Sequence, residues 1–311
     1  MTNLLIDIPD NPIPSGAQAE EITAPDGATL RASFFPADNA RGTVVLVTGW
    51  SEFIEKYFET IENLRTRGFN VAMIDWRGQG LSERTSARAA KWNGYFHMLR
   101  DDLQYFTDQH VKPRFGGPYI LMTHSMGGLP ALMLLASGYN GFSRAVLCAP
   151  MTRLFPEAQN KIMSVAAAAA SAIGFARTET PRATDHADVF EGNIFTSDKA
   201  RHARFRDLRL AEPKAASTSP TYGWVNASMK GSAEIHAPGA LEKISIPVLI
   251  VTAGNEQQID SADHETIAAM NPNISNIIIP GALHEIMMER DSIRDLYFKA
   301  FDDFVTSVFG A

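Results

Sequence analysis

The sequence has a single cysteine and no excess of positive charge. Cys148 has no partner for an intramolecular disulfide and stands in the apolar run 144–150. We interpret it as a buried strand residue in a reducing compartment. The 28 Lys and Arg are outnumbered by 35 Asp and Glu, which gives a net charge of −7. This balance argues against a general affinity for nucleic acid phosphates or anionic membranes.

The sequence also lacks an apolar run long enough to cross a bilayer. Its longest apolar stretch, residues 162–176, is mostly alanine and falls short of the roughly 20 residues that a spanning helix needs. Residues 1–14 have neither the basic region nor the apolar core of a secretory signal. We therefore expect a cytoplasmic protein.

Signatures of metal sites and nucleotide cofactors are missing as well. His284 and Glu285 begin like the zinc motif H-E-x-x-H, but position 288 is Met. No phosphate-binding G-x-x-x-x-G-K-[ST] or G-x-G-x-x-G follows a predicted strand. We expect neither a metal nor a cofactor.

Apolar strand patterns alternate with helical patterns along most of the chain. Continuous apolar strands separated by helices predict a parallel sheet that is covered on both faces. From residue 151 to 235 the pattern is helical or loop-like, and a structureless connection of that length is improbable in a compact domain. We predict a helical insertion there. The predicted strands are residues 43–48, 70–75, 118–124, 144–148, 247–252 and 276–280, after a hairpin at 21–35.

Ser125 stands at a sharp turn between a predicted strand and a predicted helix. The surrounding segment is nearly G-x-S-x-G, the nucleophile elbow, in which a strained turn exposes the serine hydroxyl above the sheet. Gly127 supplies a small neighbour, whereas Thr123 replaces the first glycine. We predict that Ser125 is a nucleophile; the alternative is a serine that only caps the next helix.

A serine nucleophile needs a base, and the base needs a carboxylate that orients it. His284 follows the last predicted strand at the same sheet edge as Ser125, so we predict that it is the base. His124 directly precedes Ser125, and its side chain should point away from that of Ser125, as a packed residue or one that flanks the oxyanion site. Two carboxylates after strand 247–252 compete for the third position. Glu256 is favoured because it lies closer to the strand end, and Asp260 remains the alternative.

The developing oxyanion requires hydrogen-bond donors. We predict the backbone N–H groups of Met126, which follows the nucleophile, and of Trp50, which follows the strand 43–48 and Gly49.

Six stretches of this sequence resemble the α/β-hydrolases, and within them the lysophospholipase and monoacylglycerol lipase branch. The resemblance implies a mostly parallel, eight-stranded sheet flanked by helices, with core residues 1–151 and 236–311 and a helical cap at 152–235. It also supports Glu256 as the acid. Thr48, Ser51 and Thr123 depart from the usual glycine or histidine of the branch. The similar stretches are TGWSE at 48–52 with Tyr57, DWRGQGLS at 75–82, THSMGG at 123–128, GALHE at 281–285 with Glu289, NIFT at 193–196 and PTYGW at 220–224.

The resemblance and the site residues together predict a serine ester hydrolase. The expected substrate is a single-chain lipid, either a lysophospholipid or a monoacylglycerol, which is cleaved through an acyl-enzyme. A small-ester carboxylesterase, a peptidase and a non-catalytic binding protein on the same fold are the alternatives.

Two features of the cap suggest contacts with such a substrate. Arg201 and Arg204 belong to a basic run that is a candidate for holding a phosphate, although such runs usually face solvent. The alanine-rich segment 165–170, extended to Phe175, is a candidate for lining an acyl pocket or for transient contact with a membrane surface; plain packing of the cap is an equal alternative.

Overall fold

The computed structural model describes residues 4–84, 94–181, 189–216 and 219–306. Within these ranges the protein forms one sheet of eight strands. The strands are β1 (Gln18–Thr23), β2 (Thr29–Phe35), β3 (Gly42–Val47), β4 (Phe69–Ile74), β5 (Tyr119–His124), β6 (Arg144–Cys148), β7 (Val248–Ala253) and β8 (Ile274–Ile279). Their order is β1-β2-β4-β3-β5-β6-β7-β8. Strand β2 pairs antiparallel with both of its neighbours, and every other neighbouring pair is parallel.

Helices cover both faces of this sheet. They are α1 (Phe58–Thr66), α2 (Tyr95–Phe106), α3 (Gly128–Ala136), α4 (Glu157–Ala172), α5 (Lys199–Ala211), α6 (Tyr222–Ile235), α7 (Asp263–Ala269) and α8 (Asp291–Thr306). Every residue of β3, β4 and β7 is buried, because each strand packs on both sides. One face packs against α2, α3 and α6, and the other packs against α1 and α8. The predicted parallel sheet, covered on two faces, is confirmed.

The insertion after β6 is helical in the residues that are described. It carries α4, α5 and α6, and its one described β contact is an isolated bridge between Glu179 and Thr221. Helix α6 packs against α2 and α3, so the insertion lies on the core rather than apart from it. The limits of the cap at residues 152 and 235 stay a prediction. Across the described ranges, no helix combines the length and apolar character needed to cross a membrane.

Some element boundaries differ from the prediction. The last strand begins at Ile274, two residues before the predicted start, and β1 begins at Gln18, three residues before the predicted hairpin. Helix α2 continues past Phe106 as one wide helical turn to Val111. Periodicity defines the middle of an element better than its ends, where capping and tertiary contacts decide. Cys148 is fully buried in β6, and burial raises the pKa of its thiol well above the ordinary value.

A buried ion cluster fixes the loops that follow β3 and β4. Arg31 on β2 lies 2.6 Å from a carboxylate oxygen of Glu55 and 2.6 Å from one of Asp75. Asp75 also accepts hydrogen bonds from the backbone N–H groups of Ile54 and Leu81. Because Ile54 and Leu81 lie in different loops, the cluster joins both loops beside the carboxyl edge of the sheet.

Candidate active site

Ser125 lies directly after β5 in a strained backbone conformation. Its φ of 46° falls in the left-handed region that non-glycine residues rarely adopt. The turn is tight: a Cβ atom added to Gly127 would lie 2.7 Å from the carbonyl oxygen of Thr48, and one added to Gly128 would lie 2.4 Å from Cβ of Pro150. The close packing of this turn therefore requires glycine at positions 127 and 128, directly after Met126.

Thr123 occupies the position where the elbow motif usually has glycine. It belongs to the regular part of β5, where it pairs with Val47 on β3 and Leu147 on β6. Its side chain is fully buried in the sheet. A threonine fits at this position because the chain is still an ordinary strand two residues before the turn.

The structure brings Ser125, His284 and Glu256 together in one hydrogen-bonded series. Nε2 of His284 lies 2.8 Å from Oγ of Ser125, and Nδ1 lies 2.7 Å from Oε2 of Glu256. His284 comes from the loop after β8 and Glu256 from the loop after β7, so the carboxyl ends of three strands, β5, β7 and β8, supply the series. Asp260, the alternative acid, lies instead 3.8 Å from a guanidinium nitrogen of Arg153.

Glu256 is held in its ionised form. Its Oε1 accepts hydrogen bonds from the backbone N–H groups of Gln257 and Gln258, at 3.0 and 2.7 Å. Burial by itself raises the pKa of this carboxyl, but the interaction with His284 and these backbone donors lower it below the ordinary value. The carboxylate can therefore hold a proton on Nδ1 of His284 and leave Nε2 free to accept one from the serine.

The loop after β3 is fixed on both sides of Trp50. The backbone N–H of Gly49 donates to Oε2 of Glu52 at 2.5 Å, and that of Ser51 donates to Oε1 of Gln79 at 2.5 Å. Ser51 has a φ of 62°, so the chain turns sharply at this point. These two bonds set the direction of the peptide N–H of Trp50, one of the two N–H groups that the sequence predicts as oxyanion donors.

Met126, whose backbone N–H is the other predicted donor, lies in the elbow turn next to the same loop. Its Sδ lies 3.6 Å from the side-chain amide nitrogen of Gln79. Gln79 thus contacts both the residue after the nucleophile and the loop that carries Trp50. Gln79 and Glu52 belong to no motif that predicts a role for them, although both fall in the stretches that carry the family resemblance.

An aromatic side chain of the cap lies against the same loop. The ring of Trp224 on α6 packs on the ring of Trp50 with centroids 4.7 Å apart, and on the ring of Phe96 at 5.9 Å. The indole nitrogen of Trp224 is buried and has no hydrogen-bond partner among the described residues. Trp224 and Phe96 therefore form an apolar wall beside Trp50.

A second part of the cap is attached to the loop that carries His284. The backbone N–H of Glu285 donates to the carbonyl of Phe195 at 2.8 Å, and the hydroxyl of Thr196 donates to the carbonyl of Met288 at 2.7 Å. The fully buried carboxylate of Glu289 accepts the N–H of Leu283 at 2.9 Å and that of Ser197 at 3.0 Å. The position of the candidate base thus depends on this cap segment.

The structure brings the guanidinium groups of Arg201 and Arg204 to Glu59 on α1. Arg201 lies 2.5 Å from a Glu59 oxygen and also pairs with Asp198 and Asp291, and Arg204 lies 2.8 Å from Glu59. Burial raises the pKa of Glu59, but its arginine partners lower it to about 2. These arginines attach α5 to the core, and their predicted phosphate contact stays a prediction.

The cap helix α4 carries apolar side chains on its outer face. Phe175, predicted to contact the acyl chain or a lipid surface, lies just after α4 and is 52% exposed. Ile162, Val165 and Ile173 are more than two-thirds exposed.

In the ranges that the structure describes, no group of three or more His, Cys, Asp or Glu side chains is placed to hold a metal ion.

Comparisons with known proteins agree on one family. The family model described as "Serine aminopeptidase, S33" matches residues 38–291. The chain is 28% identical to lysophospholipase L2 of Escherichia coli K12 over 308 residues, which cover 91% of this chain and 86% of the relative. It is 25% identical to a probable lysophospholipase L2 of Haemophilus influenzae over 273 residues, covering 87% and 85%.

A solved structure shows the same fold. A soluble variant of monoglyceride lipase from Saccharomyces cerevisiae, in complex with a substrate analog, superimposes with a TM-score of 0.74. The match covers 94% of this chain and 97% of the lipase chain at 20% sequence identity.

Proposed function

Because the chain belongs to the α/β-hydrolase family described as serine aminopeptidase, S33, we propose that it is a carboxylic ester hydrolase. The observation that carries the proposal is the hydrogen-bonded series from Glu256 through His284 to Ser125 on a strained elbow. A nucleophile, a base and an orienting carboxylate in this geometry are the requirements of acyl transfer.

The proposed reaction proceeds through an acyl-enzyme. Oγ of Ser125 attacks the ester carbonyl carbon while its proton passes to Nε2 of His284, and Glu256 stabilises the imidazolium that results. The backbone N–H groups of Trp50 and Met126 hold the oxyanion. The C–O bond to the alcohol then breaks, and His284 gives its proton to the departing alcohol. Water, deprotonated by His284, then attacks the acyl-enzyme. The bond between Oγ of Ser125 and the acyl carbon breaks, His284 returns the proton to Oγ, and the carboxylic acid is released.

The proposed substrate is a single-chain lipid, either a lysophospholipid or a monoacylglycerol. The names of the relatives and of the structural neighbour support this class. The apolar wall formed by Trp224 and Phe96 next to Trp50 also suits an acyl chain better than a charged peptide. A small-ester carboxylesterase and a non-catalytic binding protein are the alternatives, and the cytoplasmic location stays a prediction of the sequence.

Labelling with a fluorophosphonate tests the nucleophile. We expect one adduct per chain by intact mass, lost in Ser125→Ala and strongly reduced in His284→Ala. Both variants should keep the thermal transition of the wild type within a few degrees, as a check of folding. A folded wild-type protein that takes up no label contradicts the proposal and favours the binding protein.

A substrate panel then separates the candidate activities. Lysophospholipids and monoacylglycerols of equal acyl length report the head-group preference, p-nitrophenyl acetate reports a small-ester activity, and aminoacyl p-nitroanilides report a peptidase. We expect the long-chain lipids to have the highest kcat/KM. A higher value for the acetate or for an anilide contradicts the lipid assignment.

We propose in addition that the outer face of α4 contacts the lipid aggregate from which the substrate is taken. Exposed apolar side chains on a cap suit such a surface, since each one that enters lipid is removed from water. The double substitution Ile162→Ser and Val165→Ser should weaken binding to phosphatidylcholine vesicles in a sedimentation assay. Ile278→Ser on β8 is the matched control, because Ile278 is 55% exposed but belongs to the core. Equal binding by all three proteins contradicts the proposal.

A further inference from the structure

His124, the residue before Ser125, has a hydrogen-bond acceptor at each ring nitrogen. It ends β5 and is 2% exposed. Its Nδ1 lies 3.0 and 3.1 Å from the two carboxylate oxygens of Glu52, and its Nε2 lies 3.2 Å from the backbone carbonyl oxygen of His284. A carbonyl and an ionised carboxylate only accept hydrogen bonds, whereas a neutral imidazole has one N–H. Both contacts form together only when the ring carries two protons.

Glu52 is ionised, because its oxygens already accept bonds from three other donors. Nζ of Lys56 lies 2.7 Å from Oε1, while the N–H of Gly49 and the hydroxyl of Tyr57 reach Oε2 at 2.5 and 2.6 Å. Burial by itself raises the pKa of Glu52, but the charges of His124 and Lys56 lower it well below the ordinary value. Glu52 therefore has no proton to give to His124.

The charge balance of the surrounding cluster also favours a His124 ring that carries two protons. Lys56 also lies 2.6 Å from Oε1 of Glu285, so that one buried ammonium faces two carboxylates. Buried charges are costly when they lack an opposite charge. A positive His124 brings the four charges to zero. Burial by itself lowers the pKa of His124, but the carboxylate of Glu52 raises it above the ordinary value.

The other titratable groups that face His124 add no charge in the resting enzyme. Cys148 on β6 is its neighbour in the parallel register, and burial raises the pKa of that thiol. Burial likewise raises the pKa of Tyr57 well above its ordinary value. The ring of His284 lies 5.1 Å away between centroids, and it is the group that gains and loses a proton during the proposed reaction.

We propose that His124 is an imidazolium at neutral pH and that it positions the catalytic loops. One of its N–H groups holds Glu52, which in turn holds the peptide next to Trp50; the other holds the carbonyl of His284. Ser125 follows His124 directly in the chain. A single buried cation thus joins the oxyanion loop, the nucleophile elbow and the histidine loop. The positioning role rests on the proposed function, whereas the charge state does not.

Nitrogen NMR of protein labelled with ¹⁵N-histidine tests the charge state without any substrate. The signals of His124 are identified by their loss in His124→Gln. At pH 7 we expect both ring nitrogens to be protonated. In Glu52→Gln, which keeps the shape of the side chain but removes its charge, we expect one nitrogen to lose its proton. A neutral His124 at pH 7 in the wild-type protein overturns the proposal.

Steady-state kinetics tests the positioning role. We expect Glu52→Gln and His124→Gln to lower kcat by about 100-fold with little change in KM, since displacement of reacting groups by about 1 Å costs this much. Asp263→Asn is the matched control: Asp263 is also a buried carboxylate, but its bonds go to Thr152 and His236. It should lower Tm and leave kcat unchanged. If Glu52→Gln lowers Tm but leaves kcat unchanged, the positioning role is overturned.

The wild-type protein supplies a second test if the variants do not fold. As pH rises through the raised pKa of His124, its second proton is lost, and the rate of fluorophosphonate labelling at Ser125 should fall over the same pH range. A labelling rate that stays constant while the His124 signals titrate overturns the positioning role. A wild-type protein that takes up no label at any pH overturns the proposed function and the positioning role together, and the NMR spectrum still decides the charge state.

Discussion

Replacing Glu256 by glutamine is expected to force the wrong tautomer on His284. In the structure, Oε1 of Glu256 accepts the backbone N–H groups of Gln257 and Gln258, while Oε2 faces Nδ1 of His284. A glutamine at this position keeps its carbonyl oxygen in the place of Oε1, because the two backbone donors need an acceptor. Its NH₂ group then faces Nδ1, and Nδ1 must be unprotonated to accept that hydrogen bond.

The tautomer determines the size of the effect. The proton of neutral His284 now stays on Nε2, the atom that lies 2.8 Å from Oγ of Ser125, so the ring cannot take the serine proton. The corresponding amide substitution in a serine protease triad lowers kcat about 10⁴-fold, which is about 5 kcal/mol of transition-state stabilisation. We expect a loss of the same order here. KM should change little, because Glu256 contacts the histidine and backbone groups.

Initial rates of ester hydrolysis measure this loss, with thermal unfolding as a check of the fold. Asp260→Asn is the matched control, because it makes the same chemical change four positions along the same loop, beside Arg153. We expect that control to keep roughly half or more of the wild-type kcat, as for a residue outside the triad. The reasoning is refuted if Glu256→Gln retains more than about a tenth of kcat, or if Asp260→Asn shows the larger loss.

Three further substitutions test the packing and the charges around the site. Gly127→Ala places a Cβ atom 2.7 Å from a backbone oxygen, so chemical denaturation should show a loss of about 1–3 kcal/mol, and Gly94→Ala, which meets open space, should show none of that size. Arg31→Met leaves two buried carboxylates without their cation, and the free energy of unfolding should fall by about 3–5 kcal/mol; an unchanged midpoint contradicts this. Burial by itself lowers the pKa of His236, but its bond to Asp263 raises that pKa above the ordinary value of about 6.5. The pair therefore contributes its full stability below about pH 6.5, and this contribution is lost as pH rises through the raised pKa of His236. The difference in stability between wild type and His236→Gln should therefore narrow from pH 6 towards alkaline pH, and a gap that widens contradicts the assignment.

The sequence by itself determined the architecture of the core and the position of the elbow. Continuous apolar strands separated by helices require a sheet buried on both faces, and the protein has this sheet. Because parallel strands end at one edge, residues that follow different strands, such as Ser125 and His284, were expected to be neighbours. The family resemblance then identified the predicted helical insertion as a cap and, together with the site residues, indicated ester hydrolysis.

Only the tertiary structure decided which side chains pair with one another. Glu256 and Asp260 lie in the same loop, and the backbone path alone places the first beside the histidine and the second beside Arg153. The basic run of α5 gave no sign that Arg201 would meet a carboxylate on α1.

His124 shows the same limit most clearly, since its two acceptors lie 72 and 160 positions away in the sequence. Hydrophobic periodicity reports how each segment faces the core, but hydrogen-bond partners depend on distances between segments that are remote in the chain. The sequence therefore determined which residues gather at the sheet edge, and the packing of the loops decided which of them form the hydrogen-bonded network.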